Sequence, residues 1–439
     1  MKIQGKYTKN EKTLDEGLSI STSDKLTSDP KFEEKAEESL KTGIFGIGVG
    51  GSIASPPKIW ENKIYFGSCD HNFYCVDSET GKEIWRFETQ DIIISSPFIE
   101  NGAVYFGSYD KNIYAVDAGT GKRIWKVEAD SAVLCSPLVY NGIVYIGSLD
   151  GTFYGIDAFS GLILRKFFSG ESIVSCPAIH QDKVFFGSFN SKLYALDCKT
   201  GKTMWEYKTD GSIMSDITSA DGLVYLGAND KRFYAVDAET GKLRWRFQAR
   251  SLILSSFAAA YKESVYFTDW DKTLFCLEKN TGKLNWTYKL GDNAVAGTRC
   301  FNDVVYVGST DKNLYAIDTK TGELIAKFKT EDMVTAAPCF QNGVLFFGSW
   351  DCNLYAITTK GGLKWKFTTS NPLPSPMSID PAIFEAKQPK FIWASTGSAT
   401  SDLYIEKKSD VDLDSHVYGS KHVGYLGKEG YKGKKKPYG

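Results

Sequence analysis

Val104-Tyr105-Phe106-Gly107-Ser108-Tyr109-Asp110, then Asn112-Ile113-Tyr114-Ala115-Val116-Asp117-Ala118-Gly119-Thr120-Gly121, closing on Ile124-Trp125, is the passage whose reading decides the fold. Taken singly it holds two strand-like runs, two turn signals and a tryptophan. The same passage returns along the chain. Its first glycine, or a replacement, falls at Gly67, Gly107, Gly147, Gly187, Gly227, Thr268, Gly308 and Gly348, a step of about 40 residues that marks a propeller array. Each unit carries four strand candidates. The first holds a proline, as in Ser96-Pro97, Ser136-Pro137, Cys176-Pro177 and Ala337-Pro338; the second is the Val-Tyr-Phe-Gly-Ser run; the third is Tyr-Ala-x-Asp; the fourth holds the tryptophan. Four antiparallel strands make one blade, so the expected fold is all-β, a single β-propeller of four-stranded blades.

The recurring residues have physical reasons. Asp77, Asp117, Asp157, Asp197, Asp237 and Asp318 precede turns in which Gly81, Gly121, Gly161, Gly201, Gly241 and Gly322 can take positive φ without a Cβ clash. Trp85, Trp125, Trp205, Trp245, Trp286 and Trp365 follow within a few residues, and each can bury roughly 150 to 250 Å² in the wedge between blades. Arg165 and Ala326 stand at this place in units three and seven. Those two joints are expected to pack differently or more loosely.

The pattern Ala-x-Asp-x-x-Thr-Gly-x-x-x-Trp, whole at 115–125, 195–205 and 235–245, resembles the tryptophan-docking motif of quinoprotein (PQQ)-type repeats. Those repeats build the propellers of the quinoprotein alcohol dehydrogenase and BamB-like families, and the resemblance covers about residues 43 to 407. It implies the fold without choosing between an enzyme and a scaffold, because the superfamily holds both. The resembled dehydrogenases hold their quinone between a tryptophan and a disulfide of adjacent cysteines, with carboxylates on calcium. No two cysteines are adjacent here, so PQQ is not expected, and no other cofactor is indicated.

The chain ends bear on the blade count. Residues 380–383, 391–395 and 402–405 align with the first three strands of a further unit, and Ile44-Phe45-Gly46-Ile47 aligns with a fourth strand one period before Ile84-Trp85-Arg86-Phe87. Joined, they give a ninth blade shared by the N- and C-terminal strands, which closes the ring and pairs otherwise open edges. Nine blades is the expected count, with eight as the alternative if the last unit is an appendage. The domains then run as a polar N-terminal arm over 1–42, with a short helix about 30–41 started by Asp29 and Pro30, a propeller over 43–407, and a flexible basic Gly/Lys/Tyr tail over 408–439.

Composition narrows the function classes. Lysine plus arginine (52) nearly balance aspartate plus glutamate (53), so no whole-molecule field favours nucleic acid or an anionic membrane. Nucleic acid is conceivable only through the tail, where Tyr418, Tyr425 and Tyr431 are interleaved with lysines. The nine cysteines are odd in number and form no CxxC pair, which reads as reduced core thiols. Neither an apolar leader nor about 18 consecutive apolar residues is seen, so no membrane span and a cytoplasmic protein are expected.

Candidate sites are few. His71, His180, His416 and His422 form no metal-ligand or catalytic spacing. Asp70, Asp110, Asp150, Asp230, Asp271, Asp311 and Asp351, with Asn190 in the remaining unit, repeat in the turn between strands two and three; a cation ring is conceivable, but turn chemistry accounts for them better. What differs between copies is more informative. The residues just before them include Tyr109, Phe189, Trp270 and Trp350, large aromatics sharing one propeller face that suit a partner-binding rim, or else fold inward against the next blade. Asp216, Asp269 and Arg299 break the pattern in the middle units and are candidates for a polar channel-mouth site. The leading expectation is a non-enzymatic scaffold holding a protein partner. The alternatives are a quinone- or metal-dependent oxidoreductase or small-ligand binder at the channel mouth, and nucleic-acid binding through the tail.

Overall fold

The computed structural model of the chain describes residues 50–254, 258–294 and 296–369. Over them the repeat folds as a β-propeller of eight four-stranded sheets. In the first blade β1 (Lys58–Trp60), β2 (Lys63–Gly67), β3 (Asn72–Asp77) and β4 (Glu83–Glu88) pair in that order, each antiparallel to the next. The other blades span 98–128, 138–168, 178–208, 218–248, 259–289, 299–329 and 339–368. First strands lie beside those of neighbouring blades and so surround the axis, while fourth strands carry the exposed residues of the outer edge.

The middle strands read as unbroken apolar runs because each sheet is covered on both faces by its neighbours. Ile64, Tyr65, Phe66, Phe73, Tyr74, Cys75 and Val76 are all fully buried. Tyr65, Phe73 and Cys75 of blade one pack with Val104, Phe106 and Tyr114 of blade two, the rings of Phe73 and Phe106 stacking 4.3 Å apart. The core is therefore a series of layers between blades. All nine cysteines are free thiols, and Cys135 shows what such a thiol can do there: its sulfur accepts from Gly147 N at 3.0 Å, the place Ser95 Oγ takes toward Gly107 N at 2.9 Å.

The tryptophans make the joints. Trp85 Nε1 donates to the Ala118 carbonyl of the next blade at 3.1 Å, and Tyr65 Oη donates to the same oxygen at 3.0 Å. The indole lies over Gly121, where φ is +70° and an added Cβ would come within 2.6 Å of the ring. Only glycine satisfies both demands. Trp125, Trp205, Trp245 and Trp286 repeat the bond onto Ala158, Ala238, Lys279 and Thr319.

The two exceptions resolve differently. Arg165 takes over the indole's duty, its guanidinium donating to the carbonyls of Cys198 and Lys199 while its stem covers Gly201. Ala326 makes no such replacement; Gly361 faces the Phe328 ring instead.

The expected nine blades are corrected to eight. Trp365 Nε1 donates to Ser78 O at 3.1 Å and its ring lies over Gly81. Ile53 N donates to Ser349 O at 3.1 Å, and Thr369 Oγ1 to Gly51 O at 2.7 Å. Blade eight thus docks on blade one by the contact used around the ring, leaving no place between them for a ninth. The extra unit rests on short apolar matches, which have too little pattern to distinguish a blade strand from a chance run. Those segments, 44–47 and 380–405, lie outside the described residues, as do the arm, its helix and the tail.

Candidate functional site

Antiparallel strand order settles which features share a face. The turns between second and third strands, the connections from one blade's fourth strand to the next blade's first, and the beginnings of the first strands all lie at one end of the ring. The aromatic positions 109, 189, 270 and 350 and the channel positions 216 and 299 are therefore on the same side.

The repeated turn carboxylates on this face are engaged by the fold. Asp110 Oδ1 accepts from Asn112 N at 3.0 Å; its Oδ2 accepts from Tyr114 Oη at 2.7 Å and from Gln90 N, on the connection arriving from the preceding blade, at 3.0 Å. Asp351 repeats this set with Asn353, Tyr355 and Glu331. In blade six the ring partner is Phe275, Asp271 pairs with Lys289 at 2.9 Å, and the duty passes to Asp269. Asp269 is 1% exposed, and its carboxylate accepts from the backbone N–H groups of Arg250, Ser251, Asp271 and Thr273. Burial pushes its carboxyl up to about 6 against the pull of those donors. Its carboxylate is directed at the backbone, apart from Asp216 and Arg299.

Asp216 and Arg299 do face one another's field. Asp216 Oδ1 accepts from Cys176 N at 2.7 Å, the last link of a chain along the channel wall in which Ser96 N donates to Ser136 Oγ and Ser136 N to Cys176 Sγ. Burial pushes the Asp216 carboxyl up to about 6, with the Cys176 hydrogen bonds and the Arg299 charge drawing it down. Arg299 opens the first strand of blade seven, and burial lowers its pKa against the pull of Asp216 and the thiols Cys176 and Cys339.

The structure adds Lys58, which sequence reasoning missed. It opens β1 at the register of Arg299, and burial followed by the Arg299 charge pushes its ammonium down to about 8. Cys339 stands between them at the same register in blade eight. The signal was available: Phe98, Leu138 and Ala178 hold this place elsewhere, so a lysine there departs from the repeat as Arg299 does. Among the described residues, Lys58, Arg299 and Asp216 bring two basic groups and one carboxyl to this end of the channel, an arrangement suited to holding an anionic group.

The aromatic positions sit around this mouth at different depths. Trp270 is 7% exposed, packed with Met214 and Leu254, and Phe189 joins that cluster from its edge. Burial raises the Tyr109 hydroxyl above the ordinary phenol range, beside Cys69. Trp350 is half-buried, its Nε1 donating to Thr335 Oγ1 at 2.8 Å. Tyr109, Phe189 and Trp350 keep part of their surface open.

A family model described as outer membrane protein assembly factor BamB matches residues 70–164, 164–300 and 271–386. The chain belongs to this family of PQQ-type repeat propellers. Among solved structures, BamB from Moraxella catarrhalis aligns at 19% identity over 70% of this chain and 92% of its own, with a TM-score of 0.59. The computationally designed Ika8 protein aligns at 18% over 71% of this chain and 97% of its own (TM-score 0.64). A europium-containing methanol dehydrogenase aligns at 14% over 72% and 86% (TM-score 0.58). At these identities the likeness is one of fold. A comparison with curated proteins finds no match. Among the described residues, no helix is long and apolar enough to cross a membrane.

Proposed function

We propose that this BamB-family propeller is a non-enzymatic scaffold that holds a protein partner over the channel mouth bearing Tyr109, Phe189 and Trp350. The carrying observation is the concentration of part-open aromatic side chains on one face of a rigid ring, since such side chains give large contact area at low entropic cost. The family's description as an assembly factor supports the same reading. The free thiols fit work in a reducing compartment such as the cytoplasm. Tagged protein and its Tyr109→Ala/Trp350→Ala variant, captured from native lysate, test it. Partners recovered with the first and reduced tenfold with the second are expected; recovery of the wild type as a lone monomer overturns the proposal.

A second reading, a small-ligand or cofactor-dependent activity at the channel, is favoured by Lys58, Arg299 and Asp216 lining one mouth. It requires a chromophore, metal or bound anion in natively purified protein, which absorption, metal analysis and native mass spectrometry would reveal. Nucleic-acid binding through the tail concerns residues outside the described ones. It requires salt-sensitive binding that disappears when 421–439 are deleted.

A further inference from the structure

The outer edge of blade three differs from every other. Its fourth strand, Ile163–Phe168, pairs on one side with the third strand, Thr152–Asp157, and no described strand pairs with the other side. All fourth strands are edges of this kind, and open edges invite pairing unless charged side chains guard them. Elsewhere the last strand position holds residues such as Glu88, Glu128, Lys208 and Lys329. Here it holds Phe168, 69% exposed. The turn position occupied by Lys82, Lys122, Lys202 and Lys242 in other blades holds Leu162, 64% exposed, and beside it Phe159 is 90% exposed.

From this we infer that the blade-three edge accepts an extended segment of a partner protein as a fifth strand, with apolar residues of that segment against Leu162, Leu164 and Phe168 and a carboxylate against Lys166. Leu164, Lys166 and Phe168 all face outward, so the edge presents an apolar-cationic-apolar pattern. The charge selects the occupant. A second copy of this strand laid antiparallel about its exposed cation would bring the two Lys166 side chains opposite one another, and like charges directly opposite are destabilising. An acidic side chain removes that repulsion and pairs with Lys166. Backbone hydrogen bonding along an edge then supplies affinity, and the alternate side chains supply choice. The joint behind this strand is the one built on Arg165 in place of tryptophan, where a small cavity of about 20 Å³ is lined by Gly155, Arg165 and Phe167. The inference rests on the scaffold reading but uses a surface separate from the channel mouth.

The test uses the full chain and a fluorescein-labelled hexapeptide alternating valine with glutamate and threonine, titrated to millimolar protein by anisotropy. Saturable binding to the wild type is expected, weakened at least tenfold by Leu162→Lys/Phe168→Lys, a pair that copies the lysines other blades carry at these places, with melting unchanged. Replacing the peptide's glutamate by lysine should weaken binding at least fivefold. Tyr109→Ala/Trp350→Ala should leave peptide binding unaltered, which separates this inference from the channel-mouth reading. Absence of saturable binding, equal binding by the lysine variant, or a wild-type dimer in sedimentation that the lysine variant dissociates would each overturn it.

Discussion

Asp216 illustrates how a single departure from the repeat combines structural and electrostatic duty. At the same place in two other blades Ser136 and Cys176 offer a neutral hydroxyl or sulfur acceptor to the channel wall, while Ser96 donates its hydroxyl to Pro56 O. Asp216 continues the chain with a carboxylate whose pKa the fold raises from 3.8 to about 6. The fold therefore favours its protonated form: the stabilisation is complete below about pH 4 and is lost as pH rises through 6. Between pH 4 and 7 this group should cost the native state on the order of 3 kcal/mol. Asp216→Asn keeps an oxygen for Cys176 N and cannot ionise. In urea unfolding the variant should match the wild type near pH 4 and exceed it near pH 7, where Asp269, present in both, cancels from the comparison. A stability difference independent of pH would show that the channel solvates this carboxylate. The residue was legible as an anomaly because seven other copies define what is ordinary at its place. Its hydrogen bond to Cys176 was not, since the partner lies a whole repeat away.

Within a blade, the irregular element is blade six, and its changes compensate one another. In the regular blades the second strand ends in glycine because the next connection presses an isoleucine or valine onto it; a Cβ on Gly227 would lie 2.1 Å from the Ile253 side chain. Blade six has Thr268 in place of the glycine and Ala294 in place of the facing aliphatic residue, with Thr268 Oγ1 donating to Ala294 O at 3.3 Å. Bulk has moved across the contact. Thr268→Gly should lose about 1–2 kcal/mol by leaving a void, and Ala294→Ile should lose about 1–3 kcal/mol by overpacking. The double variant restores the glycine–isoleucine pair and should recover at least half of the summed loss, a coupling measurable in a double-mutant cycle. Additive losses would refute the exchange. The period, the strand order and the tryptophan joints were all readable because each rests on residue types with few alternatives: glycine at φ +70° over an indole, aspartate in the turn. In sequence Asp269 reads as a channel group rather than as the blade's turn carboxylate, because nothing in the chain order says that four backbone donors converge on it.

On the scale of the whole ring, seven joints are backed by a covalent connection from one blade to the next, and the joint between blades eight and one has, among the described residues, only non-covalent contacts. Trp365 on Ser78, Ile53 on Ser349 and Thr369 on Gly51 carry it. Repeat architectures derive stability from nearest-neighbour interfaces, so truncating a joint tryptophan should cost about 3–5 kcal/mol wherever it is made. The consequence for motion should differ with position. In Trp125→Ala the chain still tethers blades two and three, whereas Trp365→Ala leaves the two ends of the ring free to part. Hydrogen exchange under native conditions separates the cases: Trp365→Ala should speed exchange at least tenfold over 51–60 and 349–354, Ile53 included, while blades three to five keep their protection. Trp125→Ala should leave the Ile53 amide as slow as in the wild type. Uniform acceleration in both variants would mean that the ring opens as one cooperative unit with no weakest joint.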